Sequence, residues 1–237
     1  MKYDTMSSGY DPVEQAALQN SFVNRVFGWM FAGLAVSGLV AWKFATDYVS
    51  LLQRYPDMTL VLILLTLGLV MFLSLGINRM SAATATVCFV VYAALNGVML
   101  SSVFLAYSLG SVAQAFCAAA VTFGVMGVYG YVTKKDLSGI GSICAMGLLG
   151  IIIASVINMF WYSNTADLVI SALGVLIFVG LTAYDMQKIR HLAEAAGEGV
   201  LSEEIVKKYA VIGALTLYLD FINLFLYMLR FFGRRRD

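Results

Sequence analysis

Charge is what this sequence has least of. Only 12% of its 237 residues are Asp, Glu, Lys or Arg, about half the share of an ordinary soluble domain, and this excludes a water-facing surface of normal composition. Histidine is nearly absent: His191 alone, outside the apolar runs, leaves no partner set for serine–histidine proteolysis, haem or zinc. The three cysteines, Cys88, Cys117 and Cys144, lie singly inside apolar runs without paired metal-ligand spacing and read as buried apolar thiols. No lysine occurs between Tyr209 and Phe232, so a retinal-type pump, which needs a Schiff-base lysine in its last helix, is excluded. A net charge of +1 and a pI near 7.6 offer no nucleic-acid surface. There is no low-complexity segment, and the polar opening with Lys2, Asp4, Ser7, Ser8, Asp11 and Glu14 does not resemble a cleavable signal.

Apolar residues fill the space instead. They make up 61% of the chain, with a mean hydropathy of +0.85, and they fall into runs long enough to cross a hydrocarbon core of about 30 Å at 1.5 Å per helical residue. Seven spans are predicted, at Val26 to Thr46, Met58 to Ile77, Ala82 to Tyr107, Val112 to Thr133, Ile140 to Trp161, Leu168 to Tyr184 and Tyr209 to Phe232. The chain thus divides into a polar segment 1–25, an all-α polytopic transmembrane domain 26–232 and a basic tail 233–237. Placing the N-terminus in the cytoplasm collects Lys2, Arg25, Arg79, Lys134, Lys135, Lys188, Arg190, Lys207 and Lys208 on that face, against Lys43 and Arg54 on the other, as the positive-inside rule asks. Seven crossings then put Arg230 and Arg234 to Arg236 on the far side, against that rule. A re-entrant last segment removes the conflict, but the run from Tyr209 to Phe232 has no proline and Gly213 as its one glycine, which favours a full crossing. The arginine triplet reads as a topology signal or a contact with anionic lipid.

One residue interrupts the last apolar run. A carboxylate at bilayer depth costs roughly 2.5–3.5 kcal/mol on insertion scales and so faces a wet cavity or a partner; here it is Asp220. Thr216, Asp220, Asn223 and Tyr227 recur at steps of four, three and four, a polar stripe on one helix face. Such a stripe either glues helices together or lines a pathway, and a titratable acid favours the pathway. A second acid, Asp185, ends the sixth span, and Arg79, after Asn78, ends the second. Span parity puts Arg79 and Asp185 at one shallow depth on the same face, with Asp220 deeper. Two carboxylates within reach in low dielectric cannot both ionise cheaply, so the pair makes a proton-sensitive latch if the helices are neighbours. Carboxylates are also hard ligands suited to transient calcium binding.

Elsewhere the expectations are structural. Asp167 reads as the N-cap of the sixth helix. Gly197 and Gly199 read as stop signals, with Ser202 capping the seventh helix and Glu203 and Glu204 in its first turn. Gly124, Gly127 and Gly130, then Gly147, Gly150, Ala154 and Asn158, are spaced for close helix approach. Asn96-Gly97 reads as a polar contact or as a gap for a neighbouring helix.

Phe178 to Ile189, reading FVGLTAYDMQKI, and Ala214 to Phe225, reading ALTLYLDFINLF, resemble the signature of the Bax inhibitor family in its bacterial branch. Asn24 to Met30, Ile77 to Met80 and Asn96 to Ser101 are similar to that family's corresponding segments, so the resemblance covers essentially the whole chain. It implies a bundle in which the last helix is central and the other six surround it. It also implies a pH-sensitive calcium leak, not an enzyme, with Asp185 and Asp220 as proton sensor, Arg79 as latch partner, calcium as permeant ion and no cofactor. Location in a bacterial inner membrane goes with it. Relatives in this family are also linked to cell-death suppression and to binding a membrane-bound quality-control protease, which makes a stress regulator recognised through Met1 to Asn20 the alternative. An aspartyl intramembrane protease fits poorly, because no glycine stands beside the second acid.

Overall fold

In the computed structural model, which describes residues 11–55, 57–199 and 201–233, the described residues form eight α-helices and one 3-10 turn with no strand. They are α1 (Pro12–Phe44), α2 (Tyr48–Arg54), α3 (Met58–Gly76), the turn Ile77–Arg79, α4 (Ala82–Ala106), α5 (Leu109–Val132), α6 (Ser138–Phe160), α7 (Asn164–Gly197) and α8 (Glu203–Phe232). Seven are long and apolar enough to cross a membrane; α2 is the exception. The protein is therefore a multi-pass, all-helical membrane protein. The N-terminal segment up to Tyr10 and the arginine triplet 234–236 lie outside the described residues.

Three helices run past the apolar stretches that announce them. α1 starts at Pro12, α7 continues to Gly197, and α8 starts at Glu203. These polar extensions pack on one another at one end of the bundle. Phe22 of α1 and Ala193 and Ala196 of α7 are buried, and a Cβ added at Gly197 would sit 2.7 Å from Cγ of Gln19. The turn between α7 and α8 uses Gly199 at φ 70°, a left-handed conformation that favours glycine. Ser202 takes the N-cap position of α8, with Glu203 and Glu204 in its first turn. Glu204 also reaches across, its Oε1 accepting the Ala82 amide at 2.9 Å, and so caps α4.

α8 is the axis. Buried residues fill 67% of its apolar stretch, against 33% or less in the other six spans. It packs on α1, α4, α5 and α7, while α3 lies on α4 and α6 on α7. The expected ring of six around the last helix is thus chiefly a ring of four, with α3 and α6 as outer staves. At about 1.5 Å per residue, the 30 residues of α8 make an unbroken rod of about 45 Å, longer than the hydrocarbon core. A re-entrant last segment is not the fold adopted here.

Small residues let the helices approach closely, though not all of those the spacing suggests. A Cβ on Gly130 would collide with the Ala183 carbonyl, and one on Gly97 would lie 2.7 Å from the Ser37 carbonyl oxygen. Gly147 meets Ile177 at 3.0 Å, whereas Gly124 and Gly150 have nothing within 4 Å. The Asn96-Gly97 pair is a gap and a polar contact at once. α1 fits against Gly97, while the Asn96 side chain lies beside the hydroxyls of Tyr92 and Tyr218. Ser37 completes this knot between α1, α4 and α8, donating to the Ala93 carbonyl at 2.7 Å and meeting the Tyr218 hydroxyl at 2.7 Å.

Three further expectations are corrected. Asp167 is not the N-cap of α7: Ser163 is, its Oγ accepting the Ala166 amide at 3.4 Å. Asn158 supports the same turn by accepting the Ser163 amide at 2.9 Å, which gives it a hydrogen-bonding task beyond its place in the small-residue spacing. The cysteines are not deeply buried, since Cys117 is exposed and Cys88 and Cys144 are half-buried. Their positions face or border the apolar surround, where a thiol behaves as a small hydrophobe.

Backbone, not a pliable side chain, confronts any group added at Gly97. Gly97→Ala is expected to cost about 1–3 kcal/mol, as overpacking usually does, and Gly150→Ala to be neutral. Thermal unfolding in detergent checks both, and equal Tm values for the two variants would refute the close approach of α1 and α4.

Candidate functional site

The two acids meet. Asp185 on α7 and Asp220 on α8 are 9% and 4% exposed, and their carboxyl groups face each other. Antiparallel packing produces this register, with each acid carried on the face its helix turns to the other. Asp220 Oδ2 is buried, and no donor reaches it from the described residues. Two carboxylates bring only acceptors, so a proton held between them satisfies the contact, and full ionisation leaves like charges opposed in a dry site.

The cation at this pair is Lys188. Its Nζ stands 3.6 Å from Asp185 Oδ1, one helical turn further along α7, with 57% of its side chain exposed. It also lies 5.4 Å from the centre of the Tyr184 ring. Arg79 is placed otherwise: it is exposed at the end of the 3-10 turn after α3, and no ion pair joins it to either acid among the described residues. The side chain of Asn78 lies outside the described residues.

The rest of the stripe divides by contact. Thr216 is half-buried one turn from Asp220 toward the start of α8. Asn223, also half-buried, donates from Nδ2 to the Leu219 carbonyl at 2.8 Å. Tyr227 packs on α7, stacked on Phe178 with centroids 5.8 Å apart. No third His, Cys, Asp or Glu joins Asp185 and Asp220 among the described residues; the pair is a point of contact for a cation and not a cage.

α7 is held hard just where it carries Asp185. Gly130 of α5 abuts the Ala183 carbonyl, the Cβ position of Gly141 on α6 lies 2.6 Å from the Tyr184 ring, and Cys144 Sγ lies 2.5 Å from the Cβ position of Gly180. Beyond Asp185, Gln187 accepts the Leu137 amide at 2.9 Å and donates to the Lys135 carbonyl at 2.8 Å. Arg190 donates to the carbonyls of Tyr131 and Thr133 at 3.1 and 2.7 Å, capping the end of α5. Lys188, Gln187 and Arg190 were not singled out from sequence. For Lys188 the signal was available in its three-residue distance from Asp185, an ordinary helical pairing interval.

With the acid pair in place, the relatives become informative. The chain matches the family described as "Inhibitor of apoptosis-promoting Bax1" over residues 19–237. The chain belongs to the Bax inhibitor family. It is 43% identical to "Inner membrane protein YbhL" of Escherichia coli over 224 residues, covering 94% of each chain. A protein of Borreliella burgdorferi is likewise 43% identical, over 94% of this chain and 96% of its own. A membrane protein of Streptococcus pyogenes is 36% identical, over 91% and 93%. All four Bax-inhibitor helices that build the site here, α5 to α8, fall within the matched residues.

Facing carboxylates make stability depend on pH with a definite sign. Opposed carboxylates repel when both are ionised and can share a hydrogen bond when one is protonated, so the contact between α7 and α8 strengthens as protons are added. The Tm in detergent is expected to climb as the pH falls from about 8 to 5, and Asp220→Asn, whose amide donates to Asp185, to raise the Tm most at the alkaline end. A Tm slope that is identical in Asp220→Asn would rule out the facing pair as its source.

Proposed function

We propose that this protein is a pH-sensitive calcium leak in a bacterial inner membrane, gated by protonation of the Asp185–Asp220 pair. One observation carries the reading: two acids from different helices oppose each other in the bundle interior, with Asp220 Oδ2 lacking a donor. Polar glue between helices needs no titratable group, whereas an intramembrane acid pair is expensive and changes its charge with pH. A shared proton ties α7 to α8. Its loss gives the pair negative charge, which repels the two helices and attracts a hard divalent cation. Calcium passes as the permeant ion, held weakly enough to leave, and no enzymatic chemistry is involved.

Lys188 and Arg79 are rival partners for the ionised pair. Lys188 lies 3.6 Å from Asp185, while Arg79 is the partner that the family resemblance implies. Removing the true partner unbalances the pair and displaces the pH midpoint of the leak.

Calcium flux into dye-loaded liposomes containing the purified protein tests the proposal across about pH 5 to 8. Native protein is expected to show a pH-dependent flux, and Asp185→Asn and Asp220→Asn each to abolish that dependence. Lys188→Gln is expected to shift the midpoint and Arg79→Gln to leave it in place. Folded native protein that passes no calcium at any pH would end the leak reading; an unchanged profile in both Asn variants would end the role of the pair.

A further inference from the structure

The polar stripe does not stop at Tyr227. Arg230 continues it at the next helical step, so Asp220, Asn223, Tyr227 and Arg230 follow one face of α8 toward the end remote from Lys188. α7 answers with Asp185, Thr182, Phe178, Gly174, Ser171 and Asp167, again at steps of three and four. The antiparallel register is visible at three levels: Asp185 meets Asp220, Phe178 and Gly174 meet Tyr227, and Asp167 meets Arg230. From Asp220 to Arg230 the seam rises about 15 Å, half the hydrocarbon core.

The contacts along the seam are of two kinds. Between the ends, Thr182 and Ser171, each fully buried, turn their hydroxyls back to their own helix, donating to the carbonyls of Phe178 and Asp167 at 2.7 Å. Asn223 does the same toward Leu219. These groups cross-link nothing between α7 and α8, so their hydrogen bonds do not account for the polar face as interhelical glue. At the remote end a solid obstruction appears. The Tyr227 ring occupies the space that a side chain at position 174 would take, with Cδ1 2.5 Å from the Cβ position of Gly174. Phe178, one turn along α7, stacks on the same ring at 28° between planes. Arg230 lies 5.8 Å from the Tyr227 ring centre, and its Nη1 is 3.7 Å from Asp167 Oδ1.

We propose that this assembly is the far closure of the ion route: the Tyr227 ring, seated on Gly174 and Phe178, blocks the seam between α7 and α8, and the Arg230–Asp167 ion pair holds it shut. The inference rests on the leak reading and deepens it by supplying a second barrier, in series with the acid pair and separate from it. Glycine at 174 is needed because any larger residue evicts the ring. Arg230 places a positive charge at the mouth, which opposes cation passage until it swings aside with the ring. Asp167 is then a positioning residue whose charge fixes Arg230.

Single and paired substitutions assayed by liposome calcium flux test the closure, at the pH where native protein is most nearly shut. Tyr227→Ala and Gly174→Ala are expected to raise that residual flux several-fold while leaving its response to pH. Asp167→Arg and Arg230→Asp are expected to raise it singly, and together to restore the native level, a recovery that general loosening of the bundle does not produce. Gly150→Ala, on α6 away from the seam, is the control for packing and leaves flux unchanged. Normal pH-dependent native flux with no increase in folded Tyr227→Ala and Gly174→Ala overturns the closure and leaves the leak standing. Absence of flux from the native protein and every folded variant overturns both.

Discussion

The structure depends on burying a helix that carries an acid. α8 lies inside the bundle along most of its length, so Asp220 has no route to water by snorkelling and must find its complement on a neighbour. That neighbour is α7, and the requirement fixes the rotation and register of both helices. α7 is correspondingly held by its neighbours on several sides. Gly130, Gly141 and Gly174 each bring a neighbour within a distance that a Cβ forbids, and Gln187 and Arg190 tie the helix to the turn between α5 and α6. An opposed pair of carboxyls is unfavourable when ionised, and it persists only where the surrounding packing is rigid enough to oppose its separation.

The spans were legible because hydropathy is a property of each segment by itself. Met58–Gly76 and Ala82–Ala106 match their apolar runs almost to the residue. The polar start of α1 was not, since it is stabilised by packing on α7, and Phe22, Ala193 and Ala196 look unremarkable until those ends are brought together, whereas the end of α7 and the start of α8 were marked by Gly197, Gly199 and Ser202. Asp167 shows the same limit. An acid early in a helix satisfies the capping pattern, yet Ser163 lies four residues upstream with its hydroxyl on the Ala166 amide, and Asp167 is free to pair with Arg230, 63 positions away in sequence.

The candidate site divides in the same way. Asp185 and Asp220 were visible as costly residues at helical positions, and their adjacency follows from α7 and α8 being consecutive antiparallel helices. The cation was not determined by parity, because several cations share that face and depth alone does not rank them. Lys188 has the advantage of a three-residue interval on the same helix, while Arg79 follows α3, which packs on α4 and stands outside the ring around α8. The knot of Ser37, Tyr92, Asn96 and Tyr218 escaped notice for a related reason. Each is a single polar residue in an apolar run, and only the approach of α1 to Gly97 makes them one network.

That network and the acid pair divide the labour around α8. Tyr218 and Asp220 are two residues apart, so they leave the helix on nearly opposite sides. On the Tyr218 side, Ser37 of α1 hydrogen-bonds to both α4, at the Ala93 carbonyl, and α8, at the Tyr218 hydroxyl, while the Phe89 and Tyr92 rings of α4 pack edge-on against Tyr218. On the Asp220 side, the seam with α7 holds an acceptor without a donor, hydroxyls bonded back to their own helices, and an ion pair with 41% and 23% of its side chains exposed. An exposed pair of that kind contributes about 0–1 kcal/mol, and beside it the Tyr227 ring stacks on Phe178 of α7. The α7–α8 seam is thus the one whose balance of charge changes with protonation, because it carries the two facing acids.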